Sequence, residues 1–187
     1  QDYWERRNRN LKHNLDRQLR NIQRKGQAVE LKCIVEPENI AWGIREHGRM
    51  ESEGWKGKIG TAISDSNPQG RFYRDVMRAF ALNEEARIYL LKIDGRIVAS
   101  DLCLTRNGMM VVLKTAYDES CKGFSPALLM RKQIMEKIYE EKTIKVVEFY
   151  GKVKPWHLQW TDEVRTMYHI EYTRNGAVAY LKQGIVK

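Results

Sequence analysis

The stretch Val111–Arg131 constrains this chain most: a strand-like run (VVLKTAYD), a short loop (ESCKGF) and a helix opened by Ser125-Pro126. Proline suits the first helical position because its missing N–H would have no intrahelical partner, and the serine before it is a favoured cap. The N–H groups of Ala127 and Leu128 are then expected to point out of the helix beside Lys122, forming an anion-binding corner. The helix leads to Lys145–Tyr150, a short and mostly apolar run. A strand–helix–strand crossover predicts that this run pairs parallel to the first, with right-handed connectivity. An ordinary crossover with no ligand is the competing reading of the same residues.

Upstream, Asp94-Gly95 and Asn107-Gly108 are two-residue hairpin turns, and they join Arg87–Ile93, Ile97–Thr105 and Met109–Asp118 into an antiparallel meander. The expected class is therefore α/β, a mixed sheet of antiparallel meander plus parallel crossover strand. Residues 2–25 read as a helix with a narrow apolar stripe, Leu11, Leu15, Leu19 and Ile22, ended by Gly26. That stripe is too thin to fold alone and must dock on something. Gln27–Val35 reads as a strand, and Pro37 starts a helix with Asn39–Met50 as its body. Glu51–Gly70 reads as a Gly-rich connection and Phe72–Leu82 as an amphipathic helix. Gly151–Trp160 is a loop or short helix, Val164–Tyr172 a strand, and Ala177–Lys182 helix or strand. Two units are expected: a basic helical arm, 1–26, and an α/β domain, 27–187.

Charge supports that division. Residues 1–25 hold eight Lys/Arg against three acids, a net +5 of the chain's +9. Such an arm could face RNA, an anionic membrane or an acidic partner, or present a solvated helix face. A hydrophobic content of 42% describes a globular protein, and no apolar run approaches the roughly 18–20 residues of a membrane span. The opening QDYWERRNRN resembles neither a signal nor a transit peptide, and its lack of Met predicts a piece of a longer chain. Cys33, Cys103 and Cys121 are odd in number and far apart, which fits a reducing, cytoplasmic location. His13, His47, His157 and His169 have no ligand spacing, so no metal is expected.

The series GWKGKIGTAI, FYRDVMRAFA, RIYLLKIDGRIVASDLCL, LKTAYDE, SPALLM and the VEFYG–HLQW pair runs in a familiar order, preceded by NRNLKHNLDRQLR. It resembles the GNAT-like acetyltransferase domain of CelD-type cellulose-biosynthesis proteins, a family related to the FemAB peptidyltransferases. The likeness covers roughly residues 1–160. It departs at Ala127, where the family usually has Gly, and at Glu148, often Asp. The resemblance implies a GNAT fold, an acetyl-CoA or other acyl-CoA donor, and acyl transfer to an amine or hydroxyl in envelope or exopolysaccharide metabolism. Family members often carry two GNAT-like halves in tandem, and this chain resembles the second. A second half or a homodimer is thus an expected partner.

Such a transferase needs a phosphate grip, a strand edge for the pantetheine amides and a base for the acceptor. Lys122, Gly123, Ser125, Pro126, Ala127 and Leu128 are the expected grip, and the backbone from Thr115 to Asp118 the edge. Asp118 or Glu119 could be the base, and Tyr117 could protonate the leaving thiolate. Asp118 could equally cap the following loop. Lys114 shares a strand face with Ala116 and Asp118, and can reach substrate or pair with Asp101. Trp55 and Lys56 could cover the acceptor or plug the core edge. Tyr150, Lys152 and His157 could line the acceptor pocket, with His157 as a second candidate base. Cys121 lacks a neighbouring His, which argues against a thiol nucleophile. A tRNA-borne aminoacyl donor, suggested by the basic arm, and a non-catalytic scaffold are the rival functions.

Overall fold

The computed structural model describes residues 2–166 and Tyr168. The chain opens with a short helix, α1 (Asp2–Glu5), and then a longer one, α2 (Arg9–Arg24). The single helix expected over 2–25 is therefore broken. Asn8 caps α2 by accepting a hydrogen bond from the Asn10 N–H at 2.7 Å, so a second helix starts there. Gly26 follows at φ +66°, where only glycine sits without strain.

Next come β1 (Val29–Ile34), α3 (Pro37–Glu53), α4 (Trp55–Lys58) and α5 (Pro68–Ala81). The expected connection Glu51–Gly70 is thus partly helical, because α3 runs one turn further and α4 follows directly. Three strands then form the meander: β2 (Ala86–Ile93), β3 (Arg96–Arg106) and β4 (Met109–Tyr117). Both turns have positive φ at both central residues, as a hairpin matching the strand twist requires. A 3-10 turn, Glu119–Phe124, leads to α6 (Pro126–Glu141), then β5 (Val146–Phe149) and a 3-10 turn at His157–Gln159.

The five strands lie in sequence order, all neighbours antiparallel except β4 and β5, which pair parallel. Side chains alternate across the sheet and feed two cores. On one face Ile88, Leu90, Leu102 and Ala116 pack beneath α3 and α5 with Ile44, Met50 and Met77. On the other, Tyr89, Leu91, Ala99, Cys103 and Val112 pack against α6 and α2. Leu11, Leu15 and Ile22 are buried there beside Leu129, Met130 and Ile134, so the basic helix docks on this domain. Tyr3 reinforces it by donating to the Trp160 carbonyl at 2.8 Å.

Val164–Thr166 is irregular; the rest of the strand expected to Tyr172, apart from Tyr168, and the element expected over Ala177–Lys182 lie outside the described residues. Among the described residues no helix is long and apolar enough to cross a membrane.

Candidate active site

The site is built where β4 leaves β5. Pairing between them ends at Val112 with Phe149, closed by the Tyr150 N–H donating to the Val112 carbonyl at 3.1 Å. Pairing with β3 continues five residues further, to Tyr117 opposite Ala99. The cause is local. Val112 faces Cys103 and Lys114 faces Leu102, so Leu113 is an extra residue, a β-bulge. A bulge bends its strand and raises its twist, which carries the end of β4 away from β5. Leu113–Tyr117 thereby presents a backbone edge without a β5 partner, of the kind to which an extended ligand can add.

Above this edge, on the α3 face, a buried carboxylate gathers three cationic or polar groups. Glu51 is 3% exposed; it accepts from Lys56, from Lys114 (3.4 Å to each oxygen) and from the Ile63 N–H at 3.0 Å. His47, one helical turn earlier and fully buried, places Nε2 3.5 Å from Glu51 and Nδ1 3.1 Å from Ser100 Oγ. Burial pushes the His47 imidazole below its ordinary value, only partly offset by Glu51, so the ring is neutral near pH 7. Burial alone would raise Glu51, but the neighbouring His47 ring, the Lys56 ammonium and the Ile63 N–H outweigh it and hold the carboxyl well below the usual range. Lys114 is drawn down by burial, and its ammonium lies 5.2 Å from the Tyr73 ring centroid. Burial raises the Tyr73 hydroxyl, and so do Glu51 and Tyr150. Lys114 thus pairs with Glu51 and not with Asp101 as one expectation held. Asp101 points to the opposite face, since neighbouring strand residues alternate.

On that opposite face Asp101 and Arg131 form a buried ion pair at 2.8 Å, and Thr115 bridges them, donating to Asp101 at 2.5 Å and accepting from Arg131 at 3.0 Å. The Arg131 guanidinium also lies over Phe149 and Trp156. His157 belongs to this cluster. It packs against Trp156 with centroids 3.7 Å apart and the rings tilted by 42°, and its Nδ1 accepts the Lys154 N–H at 2.8 Å. Burial and Arg131 push its pKa down. It therefore sits across the sheet from Glu51.

The loop after β4 differs from its sequence reading in detail. Asp118 accepts from the Ser120 N–H and Oγ at 2.9 and 2.6 Å through Oδ1, which caps the loop, and pairs with Arg96 through Oδ2. Those bonds and the Arg96 charge override burial and lower its pKa. Glu119 accepts the Trp55 N–H at 2.8 Å through Oε1 and so pins α4 to the end of β4. Ser125 does not cap α6 with its side chain. Its N–H closes the 3-10 turn onto the Lys122 carbonyl, and Ser125 sits at φ +52°, where its side chain makes no cap bond to the helix. The Leu128 N–H is also not free, because it donates to the Ser125 carbonyl at 3.0 Å. Pro126 is buried at the start of α6, while Lys122 and Gly123 are exposed. Glu148 is held by Arg165 at 2.5 Å.

Of the residues singled out from sequence, Trp55, Lys56, Thr115, Tyr117 and Glu119 line one narrow cleft with Glu51 and Met50. Tyr150 is 55% exposed at the end of β5, and Lys152 lies exposed on the following loop. His47 and Glu51 escaped the sequence reading. The signal present was their spacing of four on the apolar face of α3, two ionisable groups where core residues were due.

The family model described as "Acetyltransferase (GNAT) domain" matches residues 9–157. No curated protein matches the chain. Among solved structures, an aminoglycoside acetyltransferase from an uncultured soil metagenomic sample, in complex with sisomicin, is similar at TM-score 0.54 and 11% identity, over 79% of this chain and 97% of that one. The ribosomal-protein-alanine N-acetyltransferase of Brucella melitensis biovar Abortus 2308 gives 0.53 and 12%, over 78% and 100%. A predicted acetyltransferase from Clostridium acetobutylicum, solved with acetyl-CoA, gives 0.54 and 10%, over 78% and 96%.

Proposed function

The chain belongs to the acetyltransferase (GNAT) domain family, and from that premise we propose that it moves an acyl group from acyl-CoA directly to an amine, or a hydroxyl, of a sugar-containing acceptor. It is an acyltransferase of the acyl-CoA-dependent kind. The chain's own residues fit that donor: β4 beyond Leu113 offers an unpaired edge, and Gly123 lies on an open wall where an added Cβ would meet nothing within 4 Å. Thr115–Tyr117 would hold the pantetheine arm, and Lys122, Gly123 and the Ala127 N–H its phosphates. The bound donor supplies an activated acyl carbon.

The observation that carries this reading is the parting of β4 from β5 directly beside a cleft holding Tyr117 and Glu119. Glu119 lines the cleft with Oε1 committed to the Trp55 N–H and no hydrogen-bond partner for Oε2 among the described residues, so it takes the proton that the attacking amine loses, directly or through water. Tyr117, 38% exposed at the end of β4, returns a proton to the departing sulfur. Asp118 positions the loop through both of its oxygens. Trp55 and Lys56 cover the acceptor side, with Tyr73 and Tyr150 at its margin.

The sugar acceptor and a role in envelope or exopolysaccharide metabolism follow the CelD-type resemblance, and so does a second GNAT-like half or a homodimer as partner; a cytoplasmic location follows from the three scattered cysteines. The aminoglycoside-bound neighbour supports an amine on a sugar. A tRNA-borne donor is the competing reading, favoured by the exposed Arg20, Arg24 and Lys25 on one helix. The test is release of free CoA thiol from acetyl-CoA in the presence of amino sugars and of the corresponding neutral sugars, with mass detection of the product. Acceptor-dependent thiol release with an N-acylated product is expected. Binding of charged tRNA, with no acetyl-CoA binding and no thiol release, would replace the reading with its rival.

A further inference from the structure

A second groove, of about 520 Å³, lies apart from the cleft, between the C-terminal end of α2 and the 3-10 turn that follows β4. Asn21, Arg24 and Lys25 form one wall, and Ser120, Gly123 and Phe124 the other. Among the described residues no carboxylate lines it. Among the described residues neither Arg24 nor Lys25 is engaged in a salt bridge. Lys25 is instead held by the Phe124 ring, its ammonium 4.7 Å from the centroid.

We propose that this groove takes the 3′-phosphoadenosine end of the acyl-CoA donor, so that the basic helix α2 completes the donor site. The inference rests on the acyl-CoA reading above. Three features favour this occupant. A phosphate monoester carries about −1.5 to −2 charges at neutral pH, and two cations without a salt bridge line the groove here with an amide donor, Asn21, beside them. The Arg24 guanidinium presents a planar fork that matches two phosphate oxygens, while Lys25 acts as a point charge. The Phe124 ring, with Lys25 over one face, gives a purine an apolar contact, and Gly123 on the same wall leaves the space beside it open. The groove also borders the turn that leads from the open end of β4 to α6, which is the direction the donor must run if its thioester lies at Tyr117.

Arg24 in the last turn of α2 also offsets the helix dipole, which affects stability alone. The readout is therefore discrimination between two ligands that differ by one phosphate. Calorimetric titration of the full chain with acetyl-CoA and with 3′-dephospho-acetyl-CoA should give wild-type binding at least about tenfold tighter for the first, at low salt where exposed charges are least screened. The double variant Arg24→Ala/Lys25→Ala should bind both ligands alike, at the dephospho level. Arg9→Ala/Arg17→Ala removes the same charge from the same helix, with Arg9 about 22 Å from Arg24 along the axis. It should keep the discrimination. The proposal is overturned if Arg24→Ala/Lys25→Ala still discriminates, if both double variants lose discrimination equally, or if Arg24→Ala/Lys25→Ala loses only affinity for tRNA. No binding of either ligand by the wild type would instead remove the acyl-CoA reading itself.

Discussion

Replacing Glu51 by Gln tests whether the buried carboxylate organises the cleft. In the native protein it is nearly inaccessible and accepts from Lys56, Lys114 and the Ile63 N–H. The amide can keep one acceptor for Ile63 but turns its NH2 toward two ammonium groups that then repel each other. Removing one partner of a buried ion pair costs about 3–5 kcal/mol. The lower end, about 3 kcal/mol, applies here because both lysines keep partial contact with water. At roughly 2–4 °C per kcal/mol for a domain of this size, the melting temperature should fall by about 6–12 °C. The pH dependence gives a second, independent check. Glu51 is depressed in the folded state, so the unfolded chain binds its proton first as pH falls. The stability it confers is complete above the ordinary carboxylate value, near 4.5, and is lost progressively below it. Wild-type melting temperatures should therefore drop faster than those of Glu51→Gln as pH is lowered below that value. Adding Lys114→Met to Glu51→Gln should recover part of the loss, since one stranded cation is gone. A melting temperature within 2 °C of wild type, with parallel acid slopes, would refute the reasoning; about 2 °C corresponds to less than 1 kcal/mol.

Glu119→Gln should lower kcat for acyl transfer by about 100-fold or more, the usual contribution of a positioned base, whereas Asp118→Asn should leave kcat within a few-fold. Steady-state thiol release measures both, and the reverse order would move the base to Asp118. Ala127→Val should weaken acetyl-CoA binding in calorimetry, by placing a branched side chain at the start of α6, without changing the melting temperature by more than a few degrees; unchanged affinity would take that helix end out of the donor site. Leu15→Ala should cost about 2–5 kcal/mol in denaturant unfolding, because Leu15 is 0% exposed in the core shared by α2, α6 and the sheet. A cost below 1 kcal/mol would mean that the basic helix is only loosely docked.

Much of the fold was legible because its signals are local. Asp94-Gly95 and Asn107-Gly108 demand positive φ, and Pro37 and Pro126 start helices where they stand. The crossover to β5 follows from its length and its apolar strand. Of the candidate site residues, Trp55, Lys56, Thr115, Tyr117 and Glu119 line one cleft. What escaped depends on partners far along the chain. Glu51 lies 63 residues from Lys114, and nothing near either in sequence announces the other. Lys114 was matched to Asp101 because the strands are neighbours, but the pleat sends the two side chains to opposite faces. The Ser125 cap failed for a subtler reason. The 3-10 turn before it spends the serine's backbone geometry on its own closing bond.

The polar groups around the end of β4 share one physical task. Once the bulge at Leu113 has turned the strand from β5, the last five residues have a neighbouring strand on one side only. A half-paired strand end is ordinarily mobile, and a ligand that binds there would have to pay for ordering it. Here side chains replace the missing strand. Thr115 is gripped from below by Asp101 and Arg131, Lys114 from above by Glu51, Asp118 from the side by Arg96, and Glu119 through the Trp55 N–H. Each of these ties runs through a side chain of the segment, and the Lys56 ammonium, 3.5 Å from the Thr115 carbonyl, reaches its backbone. The strand can thus stay open to an extended ligand and still be held in one conformation, which is what a preorganised transfer site requires. Loss of the Thr115, Asp118 or Glu119 tie should therefore weaken donor binding, read by calorimetry, more than it weakens the fold, because the rest of β4 remains paired to β3.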